Sequence, residues 1–327
     1  MHVLITGGAG FIGSHLAEHH LALGDQVYVV DNLSTGSMAN LKPFRTHPAF
    51  RFADADIVHW SGLAEAIGWA DRVYHMAAVV GVKKVLDDPV AVMATNMTGT
   101  ERILATMRDG HWNPQVVIAS SAEIYGFNPA KGFCETDDIV LPSAGRLRWS
   151  SAVAKVADEF LAFGHARRHG LRIVVARLFN TIGPNQTGDH GMVVPTFVRQ
   201  ALRGEPLTIH GEGNQTRTFC DVRDVVVALD RLAGCPEAWG EAVNVGNEDE
   251  ISIRALAELV VARAQSKSPL HFVSWRDAYG EDFDEVGHRR PVINKLRALT
   301  AYTPAWSLAD SLDDLIERAR GRSLRAA

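Results

Sequence analysis

The first 180 residues alternate between two periodicities. Short apolar runs rich in β-branched residues recur at 2–6 (HVLIT), 26–31 (QVYVVD), 72–78 (RVYHMAA), 115–121 (QVVIASS) and 172–179 (RIVVARLF). Runs this short with no polar face predict buried parallel strands. Between them, segments 11–22, 61–68, 89–108 and 150–169 carry apolar residues at helical spacing. Strand–helix alternation predicts an α/β fold, a doubly wound parallel sheet with helices on both faces. From about residue 180 the pattern loosens into the polar loop NTIGPNQTGDHG, a helix over 194–203, the short strand LTIHG and the loop EGNQTR. A strand-like AVNVG (242–246) and helices near 252–264 and 307–320 follow. The pattern predicts a large first domain, 1–179 joined by about 220–247, and a smaller mixed α/β C-terminal domain over about 180–219 and 248–327.

Composition removes several classes of function. At 327 residues with 46% hydrophobic and 22% charged, the chain is an ordinary globular protein. A net charge of −5 argues against nucleic acid as a partner, because a protein that tracks phosphates is usually basic. Cys134, Cys220 and Cys235 form no C-x-x-C pair, which argues against a zinc site and a disulfide framework. The 14 histidines show no H-E-x-x-H spacing, so no metal is expected. The N-terminus enters a strand at once and no run approaches the roughly 20 apolar residues that span a bilayer. The expectation is a cytoplasmic chain with no membrane partner.

The sharpest chemical signal is ITGGAGFIGSHLAEHHLALG. Gly7, Gly10 and Gly13 form G-x-x-G-x-x-G between a strand and a helix. Without Cβ atoms the backbone turns tightly and approaches a pyrophosphate, which the N–H groups of the helix start then bind. Asp31 closes the second strand eighteen positions past Gly13, where a carboxylate accepts from ribose hydroxyls and repels a 2′-phosphate. The cofactor predicted is NAD, on a Rossmann-type first domain.

With these residues in place the chain resembles the extended short-chain dehydrogenase/reductases that remodel nucleotide sugars: epimerases, dehydratases and decarboxylases. The resemblance runs almost end to end. DNLSTG (31–36) is similar to the family's ribose-binding loop, implying Asn32, Ser34, Thr35 and Gly36 as cofactor contacts beside Phe11 and Ile12 of the glycine loop. DADI (54–57) implies Asp56 and Ile57 near the adenine, HMAA implies Ala77 beneath the cofactor, and Asn96 falls in the family's TN position. SSAEIYG, RLFNTIGP, MVVP and GEGNQTRTF complete the series.

The resemblance implies hydride removal from the sugar, usually at C4, with a tyrosinate as base and a lysine one helical turn later. Lys155 fits the lysine, which also holds the cofactor ribose, and Ser121 fits the serine that shares the proton. The tyrosine position holds Ser151. Ser151 and Lys155 are i and i+4, on one helix face. An aliphatic hydroxyl has a pKa far above the phenol value of about 10, and a positioned base is worth roughly 10²–10⁴ in rate. Slow oxidation or none is expected unless another group substitutes. Three accounts follow: a trap variant, an enzyme with altered chemistry, or an NAD- and sugar-nucleotide-binding protein without turnover. Tyr125 matches a structural YG of the family.

Among reaction types, Ala122-Glu123 lacks the acid of the dehydratases' Asp-Glu pair, while Ser121-Ala122-Glu123 resembles the Ser/Thr-x-Glu of UDP-glucuronate decarboxylases. That family also carries an arginine before a Lys-Pro step, the place of Arg289 in HRRPVI. The resemblance therefore implies UDP-glucuronate decarboxylation, with UDP-sugar 4-epimerase and dehydratase as alternatives. It further implies a UDP-sugar as partner, held by Lys83, Asn180, Val193, Arg217 and Arg289. Segments 89–108 and 150–169 carry more apolar surface than one sheet face needs, and the family pairs them between subunits of a homodimer.

Overall fold

The computed structural model describes residues 1–79, 81–188, 191–280 and 285–326; the side chains of 82, 83 and 322–326 also lie outside the description. Six strands, β1 (His2–Thr6), β2 (Gln26–Asp31), β3 (Phe50–Asp54), β4 (Arg72–His75), β5 (Gln115–Ser121) and β6 (Ile173–Leu178), join strand Ala242–Val245 in one sheet. Its order is Ala242–Val245, β6, β5, β4, β1, β2, β3, and its neighbours pair in parallel. The order reverses between β1 and β4, so a crevice opens beyond their C-terminal ends, where such sheets bind ligands.

Period-two alternation sorts each strand between two cores. Val3 and Ile5 point to one face with Tyr74, Val117 and Val174, and meet Leu16, Val225 and Leu229 from helices. Leu4 points to the other with Val73, Val116, Ile118 and Ile173, and meets Ile103, Leu104 and Ala162. A third cluster, including Val194, Phe197, Leu207, Ile209, Leu256, Val260 and Leu312, organises the C-terminal part.

Three elements of the main sheet and its covering layer differ from the sequence expectation. β3 is an edge strand whose residues are only half-buried or exposed, so its apolar signal is weak. The run at 72–78 leaves the sheet at His75, where the chain turns over the glycine loop. Helix Val222–Ala233, capped by the Asp221 side chain on the N–H of Arg223, went unread although its amphipathic pattern is clear.

Helices Pro89–Asp109 and Ser150–His169 pack on the same sheet face through Ile103, Leu104, Met107 and Ala162. Their outer faces leave Val90 76% and Phe160 72% exposed.

Candidate active site

The glycine loop is closed by backbone, not by side chains. Gly7 sits at φ +71°, and a Cβ there would come within 2.6 Å of the Ala77 nitrogen. At Gly13 a Cβ would lie 2.3 Å from the Gly7 carbonyl oxygen. Helix Phe11–Ala22 then starts at Gly10 with no side-chain cap and no acid in its first turn. The N–H groups at Phe11, Ile12 and Gly13 are therefore left to an anion.

Asp31 accepts from Ala9 N at 2.9 Å and Leu33 N at 2.8 Å, and a Cβ on Gly36 would press on the same carboxylate. Burial raises its pKa, while backbone N–H groups oppose the shift. Asp56 accepts from Val58 N at 2.8 Å and from the Asn32 amide at 3.2 Å, beside buried Ile57. Ser34 and Thr35 are exposed on the loop between them. The glycine cradle, the uncapped helix and the two carboxylates fit a dinucleotide. Asn96 instead spends its amide on Val79, accepting from its N–H at 2.7 Å and donating to its carbonyl at 3.2 Å.

Beyond the ends of β4 and β5 lie the residues of the proposed chemistry. Ser121 ends β5, and its Oγ accepts from Glu123 N at 3.1 Å. Ser151 and Lys155 are both buried on the first turns of helix Ser150–His169. Lys155 Nζ meets Asp158 Oδ2 at 3.2 Å. His75 lies between the Thr6 hydroxyl (2.8 Å) and the Thr100 hydroxyl (3.2 Å). Burial, reinforced by the Lys155 charge, lowers its pKa to about 3. Tyr125 is structural: its hydroxyl donates to Asn244 at 2.7 Å and accepts from Arg177 at 2.9 Å, and burial lifts its pKa to about 12.

The tertiary structure brings three arginines to this edge. Arg289 Nη1 lies 3.3 Å from Glu123 Oε1. Arg217 pairs with Glu285 and donates to the Thr216 carbonyl, while Arg148 lies 3.9 Å from Glu285. Burial, then the charges of Arg289 and Arg148, lowers Arg217 to about 9. Guanidiniums gathered at one edge form an electrostatic site for anions. Arg148 and Glu285 went unread in the sequence; the one available signal for Arg148 was its place three residues before Ser151.

Of the remaining positions, Asn180 donates to the Thr218 carbonyl at 3.0 Å, and Val193 opens helix Val193–Arg203. Lys84 reaches the Ser34 carbonyl on the cofactor loop at 3.2 Å; the Lys83 side chain lies outside the described residues. Among the described residues, no three His, Cys, Asp or Glu side chains are grouped to hold a metal, and no helix is long and apolar enough to cross a membrane.

The model of the NAD dependent epimerase/dehydratase family matches residues 3–246. The UDP-N-acetyl-alpha-D-glucosaminuronate decarboxylase of Bacillus cytotoxicus is 34% identical over 316 residues, covering 96% of each chain. UDP-glucuronic acid decarboxylase 6 of Arabidopsis thaliana is 32% identical over 323 residues, 95% of this chain and 87% of that one. The structure of dTDP-glucose 4,6-dehydratase from Streptomyces venezuelae with NAD bound superposes at a TM-score of 0.88 with 28% identity, covering 99% of this chain and 98% of that one.

Proposed function

The chain belongs to the NAD dependent epimerase/dehydratase family, and from that premise we propose that it decarboxylates a UDP-hexuronate, UDP-glucuronate first, through a 4-keto intermediate. NAD is its cofactor. The observation that carries the reading is the Glu123–Arg289 ion pair, 3.3 Å long, at the edge of the Ser121, Ser151 and Lys155 cluster. An epimerase needs no such pair beside the sugar, and Ala122 stands where a dehydratase keeps its acid.

Bound above the glycine loop, NAD supplies the acceptor for the C4 hydride. Oxidation at C4 turns the C5 carboxylate into a β-keto acid, which loses carbon dioxide readily. Arg289 holds that carboxylate in competition with Glu123. Once carbon dioxide has left, Glu123, displaced from Arg289 by the substrate carboxylate and carrying a proton taken up from solvent, is placed to give that proton to C5. Arg217 grips the diphosphate bidentately, and Asn180 and the start of helix Val193–Arg203 line the nucleotide side. Ser121 shares the proton at O4, and Lys155 orients the ribose.

Residues 1–179 with about 220–247 bind the cofactor, and about 180–219 with 248–327 bind the sugar nucleotide. The assembly proposed is a cytoplasmic homodimer. Exposed Val90, Val153 and Phe160 on helices Pro89–Asp109 and Ser150–His169 support it, because aligned apolar side chains of this size favour a partner.

The test is product analysis. The NAD-loaded protein and its Ser151→Tyr variant are incubated with UDP-glucuronate and its N-acetyl counterpart, and nucleotide products are resolved by mass. Loss of carbon dioxide supports the assignment. A product of unchanged mass, the C4 epimer, transfers it to the epimerases, and binding without turnover by both proteins transfers it to a sensor.

A further inference from the structure

Oxidation at C4 requires an acceptor for the O4 proton, and the position one turn before Lys155 is an alcohol. Most neighbouring groups are already committed. Tyr125 is committed to Asn244 and Arg177. Both nitrogens of His75 are held by threonine hydroxyls, and its lowered pKa keeps it neutral. Glu159 spends its oxygens on Arg177 and Ser120. Glu123 is paired with Arg289 and is needed at C5.

Asp158 is different. It is 0% exposed, its Oδ2 lies 3.2 Å from Lys155 Nζ, and its buried Oδ1 makes no hydrogen bond of good geometry among the described residues, although the Thr100 hydroxyl lies beside the carboxylate. A buried carboxylate oxygen without a donor costs free energy comparable to a lost charged hydrogen bond.

Resting on the decarboxylase reading, we propose that Lys155 and Asp158 together replace the missing phenol. The 4-hydroxyl proton passes through Ser151 and Lys155 to the Asp158 carboxylate. The O4–H bonding pair becomes the second bond of C4=O as hydride leaves C4 for the nicotinamide. Ser151 Oγ takes the O4 proton and gives its own to Lys155 Nζ, which releases one to Asp158. Serine and lysine end unchanged, and Asp158 ends as the acid. When C4 is reduced again, the relay runs backward and returns the proton to O4.

The groups facing Asp158 are Lys155 and the Arg177-paired Glu159 from its own helix, Thr100 from helix Pro89–Asp109, and neutral His75, bonded to Thr100, from β4. Burial, only partly offset by Lys155, raises the Asp158 pKa and makes it the better proton holder. Asp158 is thus a positioning and proton-storing residue acting through Lys155.

The experiment compares the full-length NAD-loaded chain with Asp158→Asn, Asp158→Glu, Ser151→Tyr and the double variant Ser151→Tyr/Asp158→Asn. Single-turnover NADH formation with UDP-glucuronate is followed across pH. Asp158→Asn is expected to slow oxidation about 10²–10⁴-fold and to remove the acid limb of the rate profile, with substrate affinity held within about twofold. Asp158→Glu recovers part of the rate. In the tyrosine background, where the phenol takes the proton, the same Asn substitution costs less than about tenfold.

A second readout needs neither cofactor nor turnover. Infrared pH titration of the NAD-free protein should show a carboxylic-acid band that Asp158→Asn removes. An equal cost of Asp158→Asn in both backgrounds makes the residue structural and overturns the proposal, as does an absent band. Oxidation only with Ser151→Tyr keeps the decarboxylase reading and sinks the relay. No oxidation of any UDP-sugar by either background removes both. If Asp158→Asn does not fold, the infrared titration of the parent chain against Asp158→Glu, whose band should shift, decides.

Discussion

His75 makes the steepest demand on this fold. Its imidazole is 2% exposed, and burial lowers its pKa from 6.5 to about 3. A group whose pKa falls on folding contributes stability that is complete above its unfolded value. That stability is lost as pH drops, because only the unfolded chain takes the proton. Here the window runs from pH 6.5 down to about 3. At 1.36 kcal/mol per pKa unit, the full shift corresponds to about 5 kcal/mol, a large part of the roughly 5–15 kcal/mol that holds a domain folded. His20, whose pKa burial also lowers, titrates in the same direction.

The perturbation is His75→Gln, which can still bond Thr6 and Thr100 but cannot titrate. Repacking lowers stability by about 1–2 kcal/mol at neutral pH, an offset constant with pH. The diagnostic is the slope: between pH 6 and 4 the parent should lose up to about 1.4 kcal/mol more per pH unit than the variant. Urea unfolding by tryptophan fluorescence at a series of pH values measures it, without NAD, because ligand binding would add stability of its own. Parallel curves for parent and variant down to pH 4 would refute the claim that His75 is held neutral.

Gly7→Ala forces a Cβ to within 2.6 Å of the Ala77 backbone at φ +71°; calorimetry should show about 1–3 kcal/mol of lost stability and titration a tenfold or greater loss of NAD affinity. Glu123→Gln in the Ser151→Tyr background should slow formation of the C5-protonated, decarboxylated product while leaving the first hydride transfer within about tenfold, read by NADH absorbance against product mass. Asp31→Ser should narrow the preference for NAD over NADP, because it removes the carboxylate that repels a 2′-phosphate; comparing the two dissociation constants checks it. Phe160→Glu, at a site 72% exposed, should leave the fold intact and shift light scattering from dimer to monomer.

Features written in contiguous residues were legible in the sequence. The glycine loop, the strand before it, the helix after it and Asp31 lie within one βαβ unit, where local geometry and the site are the same thing. Ser151 and Lys155 were readable as one helix face for the same reason. Tyr125 matches a structural tyrosine in sequence, and its bonds to Asn244 and Arg177 account for it. β3 escaped because an edge strand with half-buried residues carries no continuous apolar signal.

What the chain brings together from afar only the tertiary structure decided. Glu123 and Arg289 are separated by 166 positions, yet they form one ion pair. Nothing in the spacing of Arg148, Arg217 and Glu285 announces that they converge. Asp158, three positions past Lys155, carries no signal of its own in the sequence. Its burial depends on helix Pro89–Asp109 packing over it, where Thr100 meets the carboxylate. Local periodicity records which side chains leave water. It does not record which polar side chains leave water together, because that depends on contacts between elements distant along the chain, and there desolvation and charge set the chemistry.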